Sequence, residues 1–175
     1  FMDEKIGMVQ TRWGHLNRDY SLLTKAQALF LDGHLVVEQV ARSRTGRFFN
    51  FNGTAGMWRK QTIIDAGGWE HDTLTEDLDL SYRAQLKGWK FTYLVDVLSP
   101  AELPVDLKGF KSQQFRWTKG SIQTCRKMLG RVWRSDIPFP LKIEATVHMG
   151  ANYAYFLVFM MLFLVFPGFG EEFTM

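Results

Sequence analysis

Cysteine and histidine are scarce in this 175-residue sequence. Cys125 is the single cysteine, which excludes an intrachain disulfide and any cysteine-rich zinc site. The four histidines lie far apart in the sequence, and their spacing matches no paired set of metal ligands. We therefore expect a reducing, cytosolic setting and no metal site built from these residues.

Charged side chains are missing from a long stretch near the C-terminus. Residues 146–170 contain no Asp, Glu, Lys or Arg, and residues 154–166 are all apolar or aromatic. A helix over residues 146–170 would be about 37 Å long, which exceeds the roughly 30 Å of a bilayer's hydrocarbon core. We predict a transmembrane helix at residues 149–168, an amphipathic interfacial segment at residues 136–148 and a tail at residues 169–175. A buried core helix is the alternative, because Asn152 and Pro167 shorten the apolar run.

The remaining charges are strongly segregated. Residues 70–79 contain five acids, whereas residues 107–135 contain eight Lys or Arg and no acid. Basic flanks stay on the cytoplasmic side of a membrane, so residues 1–145 should face the cytosol, in an inner, plasma or Golgi-type membrane. The basic stretch suits lipid headgroups or an anionic ligand. It does not indicate nucleic acid, because no recognition motif accompanies it.

The start of the sequence indicates a piece of a longer protein. The first residue is Phe1 rather than Met, and no charged region, short apolar run and cleavage site follow it. We therefore expect no signal peptide and an excised or truncated chain. Its length is sufficient for one domain with a buried core.

Alternating strand and helix patterns predict an α/β layer fold with about three strands. Residues 73–76 also match the capping-box pattern that begins many helices, and Gly88 follows the end of that predicted helix. The predicted strands are residues 5–10, 47–51 and 90–95. The predicted helices are residues 21–42 with a break at Gly33, 58–66, a helix that begins at the capping box of residues 73–76 and runs to about residue 87, 106–129 and an amphipathic piece at 141–147.

Asp77, in the segment Thr75-Glu76-Asp77, is the first candidate for chemistry. A carboxylate can accept a proton from a hydroxyl group as that group attacks a substrate. In the first turn of a helix the macrodipole favours the ionised form, so we expect the basicity of Asp77 to be modest. The alternative is that Glu76 and Asp77 only cap the helix.

The segment Gln113-Gln114-Phe115-Arg116-Trp117 is the second candidate. In a helix, Gln113, Arg116 and Trp117 share one face. A guanidinium can hold a diphosphate through paired hydrogen bonds, and an indole can stack on a sugar ring. The alternative is an amphipathic interface helix whose Trp packs in the core.

The turn Phe51-Asn52-Gly53-Thr54 is the third candidate. Its glycine permits close approach of a ligand to the backbone, and Asn52 and Thr54 offer hydrogen bonds. The alternative is a turn without a binding role. We expect the other tryptophans to pack in the core or at interfaces, namely Trp13, Trp58, Trp69, Trp89 and Trp133.

These three motifs, in this order and approximate spacing, resemble the processive, membrane-bound members of glycosyltransferase family 2. That family includes cellulose synthase, hyaluronan synthase and the plant mannan synthases. The longer stretches VQTRWGHLN, from Val9, and TLTEDLDLSYRAQLKGW, from Thr73, are most similar to the mannan and glucomannan synthase branch. The resemblance covers nearly the whole chain and implies the C-terminal, acceptor-side part of a GT-A fold in residues 1–135.

The resemblance also implies roles for individual residues. Asp77 would be the general base, and Trp117 the platform for the acceptor glycan. Arg116 and Gln113 would contact the pyrophosphate of a nucleotide-sugar donor, either UDP-glucose or GDP-mannose. Glu76 would belong to the same binding site, and Asn52, Gly53 and Thr54 would border the acceptor terminus. The implied reaction is inverting hexosyl transfer to a growing β-linked polysaccharide.

The family normally uses Mg²⁺ or Mn²⁺ bound by an Asp-x-Asp motif, and no such motif precedes Val9. We therefore expect the metal ligands and the nucleotide-binding half of the fold upstream of Phe1, and an inactive, aggregation-prone chain when it is isolated. Asp77-Leu78-Asp79 overlaps the Thr75-Glu76-Asp77 motif and is not counted as the metal site. Two alternatives remain open: a non-processive lipid glycosyltransferase, and a non-catalytic membrane-associated fragment that binds a glycan or a partner subunit.

Overall fold

The computed structural model describes residues 2–165, which form one small sheet covered by helices. A π-helical segment at Gly33–Glu38 joins the first two α-helices. The strands are β1 Ile6–His15, β2 Gly56–Trp58 and β3 Lys90–Ala101, and the α-helices are α1 Leu22–Asp32, α2 Gln39–Arg44, α3 Lys60–Asp65, α4 Glu76–Leu86, α5 Leu107–Arg134, α6 Phe139–Gly150 and α7 Tyr153–Val165. The predicted α/β architecture is confirmed.

The sheet has the strand order β2-β1-β3. β1 pairs with β2 in antiparallel register, Met8 opposite Trp58, and with β3 in parallel register, from Ile6 opposite Lys90 to His15 opposite Ala101. The carboxyl ends of β1 and β3 therefore meet at one edge of the sheet. Open α/β sheets bind their ligands at that edge.

Most of the predicted elements are present, with shifted ends. The helix predicted to break at Gly33 does change there, from α-helix to π-helix. The basic helix begins at Leu107, because the Asp106 carboxylate accepts the Gly109 N–H at 2.8 Å, and it continues five residues beyond the predicted end. The third predicted strand is longer than expected, since β3 runs through Pro100 into the segment predicted to be a loop.

The predicted strand at residues 47–51 is wrong. Side chains of α4, rather than the backbone of a neighbouring strand, form hydrogen bonds with the backbone of this segment. The Phe49 N–H and C=O both pair with the Gln85 amide, at 3.2 and 2.9 Å, and the Phe51 N–H donates to Ser81 Oγ at 2.9 Å. Buried backbone groups need partners, and here buried side chains supply them.

The predicted capping box before α4 is also wrong. The pattern at residues 73–76 places the N-cap at Thr73, whereas the helix begins two residues later, with Thr75 as its N-cap. The Thr75 side chain makes no capping hydrogen bond. Its hydroxyl lies 3.2 Å from that of Thr124 on α5 instead. A tertiary contact between two helices has replaced the local one, and it joins the start of α4 to the middle of α5.

The main core lies between α4, α5 and α6. Tyr82 is fully buried there, and its ring meets that of Phe48 edge-to-face at 5.8 Å. The other buried members of this core are Leu78, Cys125, Met128, Val132, Ala145 and Met149. A smaller core of Met8, Phe49, Phe51 and Tyr93 covers the sheet. The core therefore fixes α5 against α4, the two helices that carry the candidate motifs.

The C-terminal helices differ from the single helix predicted at residues 149–168. The chain bends by 74° between α6 and α7, and α7 begins at Tyr153. At the bend Asn152 donates a hydrogen bond to Ser121 Oγ at 2.6 Å, which ties the break to α5. Residues 166–168 lie outside the described part of the chain.

A membrane segment at this end of the chain stays a prediction. Among residues 2–165 no single helix has both the length and the hydropathy of a membrane span, whereas α6 and α7 pass that criterion together. The side chains of α7 are all exposed, although the helix is apolar on every side. A helix of this kind needs an apolar environment around it.

Candidate active site

A cavity of about 750 Å³ lies beyond the carboxyl ends of β1 and β3. All three candidate motifs contribute to its lining, although they are separated by up to 65 residues in sequence, from Asn52 to Trp117. The sequence-predicted residues that line it are Asn52, Gly53, Thr54, Glu76, Asp77, Gln113, Arg116 and Trp117. The structure thus brings together every residue proposed from the sequence.

Asp77 is partly buried at the wall of this cavity. Burial raises the pKa of its carboxyl from 3.8 to about 6, and the neighbouring charge of Glu76 raises it further. The Leu78 N–H, which donates to Asp77 Oδ1 at 2.8 Å, and the Arg116 guanidinium oppose this shift. The expectation of modest basicity from the helix dipole is therefore wrong, because desolvation outweighs the favourable dipole.

Gly53 brings the backbone of the turn against that carboxylate. Its φ of +75° lies in the left-handed region, and a Cβ atom added there would lie 3.2 Å from Asp77 Oδ2. Only glycine meets both conditions without strain. The turn at residues 51–54 therefore forms one side of the space in front of Asp77.

Gln10 holds this turn in place, a role that the sequence did not reveal. Its fully buried amide donates to the carbonyl groups of Thr54 and Ala55, at 3.0 and 2.8 Å, and accepts the Asn52 N–H at 3.0 Å. A polar residue in the interior of a strand normally points to solvent. The burial of Gln10, which marks it as a structural residue, is visible only in the structure. One side chain on β1 fixes both ends of the turn.

Gly120 places α5 against the start of α4 and was likewise missed. A Cβ atom added at Gly120 would lie 2.6 Å from Thr75 Cγ2 and 2.8 Å from the Thr75 backbone nitrogen. Gly120 is three and four residues after Trp117 and Arg116, so all three share a helix face. The spacing of Gly120 from Arg116 and Trp117 is the feature of the sequence that could have identified its role.

Two tryptophans predicted to be packing residues line the cavity instead. Trp13 donates its indole N–H to Thr54 Oγ1 at 3.0 Å, and Trp69 is 44% exposed. Trp58, by contrast, packs against the core as predicted. With Trp117, the cavity has three indole side chains in its lining.

His15 contributes a neutral imidazole to the same wall. Its side chain is 2% exposed, and neither ring nitrogen has a hydrogen-bond partner in the described structure. Burial lowers the pKa of the ring, although Asp32 at 3.8 Å opposes this shift. Together with Trp13, His15 also borders a neighbouring cavity of about 720 Å³.

The described residues include one acidic group with the spacing of a metal site, formed by Glu70, Asp72 and Asp79. Lys127 Nζ lies 2.5, 2.8 and 3.1 Å from an oxygen of these three side chains, respectively. An ammonium group thus already holds the position where a cation would bind. A metal ion at this cluster would therefore have to displace Lys127.

Comparison with known proteins finds similar plant enzymes. The glucomannan 4-beta-mannosyltransferase 1 of Oryza sativa subsp. japonica is 44% identical over 153 residues, which is 87% of this chain and 28% of that protein. The glucomannan 4-beta-mannosyltransferase 2 of Arabidopsis thaliana is 48% identical over 130 residues, 74% of this chain and 24% of that protein. The chain thus spans about a quarter of the length of these curated relatives.

A family model matches almost the whole chain. The model, described as glycosyl transferase family group 2, covers residues 1–167. The family has the GT-A fold, and the mixed α/β structure of this chain agrees with part of it. The chain belongs to glycosyl transferase family group 2 and is similar to the glucomannan mannosyltransferases of plants.

Proposed function

We propose that this chain is the acceptor-side part of an inverting glycosyltransferase that adds hexosyl units from a nucleotide sugar to a growing β-linked polysaccharide. The observation that carries the proposal is the position of Asp77. It is a carboxylate with a pKa of about 6, in a cavity that also contains a guanidinium and an indole. A general base is most effective when its pKa lies near the working pH.

The reaction is a single displacement. Asp77 takes the proton of an acceptor hydroxyl while that oxygen bonds to the anomeric carbon of the donor sugar. The bond from that carbon to the diphosphate oxygen breaks, and its electron pair leaves with the nucleoside diphosphate. Attack from the side opposite the leaving group inverts the configuration, which turns an α-linked donor into a β-linked product.

Arg116 and Gln113 are suited to the leaving group, and Trp117 to the acceptor. Arg116 is exposed in the cavity and offers paired N–H donors to a diphosphate. Trp117 is partly buried, so one part of the indole is held by the fold while another stays open to a sugar ring. Asn52 and Thr54 supply polar groups for the sugar hydroxyls at the acceptor terminus.

The donor is GDP-mannose or UDP-glucose, and the names of the relatives favour mannose. In the full-length enzyme, residues 1–135 belong to the catalytic domain and residues 136–148 lie at the membrane surface. The apolar helix α7, beyond the 74° bend, lies within the membrane. The catalytic part faces the cytosol. Mg²⁺ or Mn²⁺ would neutralise the diphosphate charge when bound, with ligands outside the residues described here.

The test uses the full-length enzyme in membranes, with each nucleotide sugar as donor. We expect Asp77→Asn to lower polymer formation by about 10²–10⁴-fold, the usual range for general-base catalysis. Trp117→Ala should reduce it as well, through loss of the acceptor platform. Trp133→Ala is the matched control, because Trp133 is 41% exposed on the same helix but does not line the cavity.

The size of the product distinguishes a processive enzyme from one that transfers a single sugar. A glycolipid that carries one sugar would identify the non-processive lipid glycosyltransferase. Near-normal polymer formation by Asp77→Asn would contradict the assignment of the base.

A further inference from the structure

The loop at residues 67–75, between α3 and α4, presents alternate residues to two different neighbours. Trp69, His71 and Thr73 line the candidate active-site cavity. Glu70 and Asp72, which lie between them in sequence, bind Lys127 on α5. One side of this loop therefore serves the cavity, and the other side attaches the loop to the protein.

The attachment is an ion-pair network with a buried centre. Asp79 is fully buried, and its carboxylate contacts Lys127 Nζ at 3.1 Å and Arg83 Nε at 2.8 Å. Arg83 also donates to the backbone carbonyl groups of Ala66 and of Gly68, the latter at 2.9 Å. The network explains the segregated charges of the sequence, because a lysine of the basic helix is set among the acids of residues 70–79.

This network fixes the loop on both sides of Trp69. Gly68 is held through its carbonyl by Arg83, and Glu70 is held through its carboxylate by Lys127. The Trp69 ring meets the Trp58 ring edge-to-face at 6.1 Å. The indole is thus oriented by its neighbours while 44% of the residue remains exposed at the cavity. An immobilised aromatic side chain binds a ligand with little loss of conformational entropy.

We propose that Trp69 and His71 form a second sugar subsite, which binds the unit of the acceptor glycan next to the one held at Trp117. This inference rests on the proposed function. The cavity of about 750 Å³ lies in the usual range of about 300–1,000 Å³ for binding sites of small-molecule ligands. Trp69 supplies a stacking surface, and the exposed His71 ring offers one donor and one acceptor to sugar hydroxyls. Lys127 and Arg83 are positioning residues, because they hold the loop and the buried Asp79 without lining the cavity themselves.

The experiment measures transfer by the full-length enzyme to soluble β-linked oligosaccharides of increasing length, from the monosaccharide to the hexasaccharide. The donor is GDP-mannose or UDP-glucose, whichever the wild type uses. We expect Trp69→Ala to raise KM roughly tenfold for acceptors of two or more units, the effect of losing one good aromatic anchor. KM for the monosaccharide and the rate of donor hydrolysis should remain unchanged. Trp69→Phe should retain part of the length dependence.

Trp133→Ala again serves as the matched control and should leave every KM unchanged. If KM of Trp69→Ala depends on acceptor length as in the wild type, or if KM rises equally for all acceptor lengths, the subsite assignment is wrong. If the wild type transfers sugar from neither donor, the proposed function fails, and the subsite fails with it. The two failures are therefore distinguishable.

Lys127 provides a second and independent readout. Lys127→Met should reproduce the length-dependent rise in KM with little change in kcat, because it releases the loop without entering the cavity. Lys127→Arg keeps a cation at that position and should restore much of the affinity. The positioning role would be contradicted if only kcat changed, or if Lys127→Met and Lys127→Arg raised KM equally at every acceptor length.

Discussion

Replacing Asp77 with asparagine is expected to stabilise the fold while it removes activity. The folded protein raises the pKa of this carboxyl from 3.8 to about 6, so folding disfavours the ionised form. A shift of about two units corresponds to about 3 kcal/mol of destabilisation above pH 6. Asparagine has the shape of the protonated form and carries no charge, so most of this energy should be recovered.

The sign of the pH dependence follows from proton binding. Between pH 3.8 and about 6 the folded state keeps this proton while the unfolded state has lost it, so stability from this group falls as pH rises. The stability difference between Asp77→Asn and wild type should therefore be near zero at low pH. It should grow through that window and level off above it.

Thermal unfolding in detergent at roughly pH 4 and pH 8 measures this difference. For a domain of about 150–250 residues, about 3 kcal/mol corresponds to a rise in Tm of roughly 6–12 °C. Asp79→Asn is the control on the same helix and should act in the opposite direction. It leaves Arg83 and Lys127 without their buried partner, which typically costs about 3–5 kcal/mol. A variant Asp77→Asn no more stable than wild type at the higher pH would refute the reasoning.

Two further substitutions test how the cavity is built. Gly120→Ala should lower the free energy of unfolding by about 1–3 kcal/mol and reduce sugar transfer, because the added Cβ would meet the backbone of Thr75. Gly130→Ala on the same helix is the control and should be neutral or stabilising, since a Cβ has room there. Chemical unfolding of both variants measures the difference, and equal effects would contradict the role of Gly120. Gln10→Leu should lower the free energy of unfolding by about 1–3 kcal/mol, because it leaves the Asn52 N–H without its partner. It should also raise KM for the acceptor. An unchanged KM would show that Gln10 does not position the turn.

The helices could be predicted from local signals. Gly88, with a φ of +89°, follows the end of α4, and Asp106 caps α5 through its own side chain. Each of these signals lies within a few residues of the feature that it specifies. Part of the cavity lining was also predictable, because the three motifs contain many of the residues that line it, whereas Trp13, His15 and Trp69 lie outside the motifs.

Features that depend on tertiary packing could not be predicted. The backbone of residues 47–51 pairs with Ser81 and Gln85, which lie on a helix 30 and 36 residues away from their partners in sequence. The pKa of Asp77 depends on its burial, which the position in a helix first turn does not reveal. Trp69 and Trp58 belong to the same residue type, yet only the fold exposes one at the cavity and packs the other in the core.

The pH dependence of kcat/KM for sugar transfer by the full-length enzyme tests the central claim most directly. If Asp77 is the general base, kcat/KM should fall tenfold per pH unit below about pH 6. Glu76→Gln should move this limb to lower pH, because the Glu76 charge raises the pKa of Asp77. A profile that stays flat through pH 6, or one that Glu76→Gln leaves in place, would contradict the assignment of Asp77 as the base.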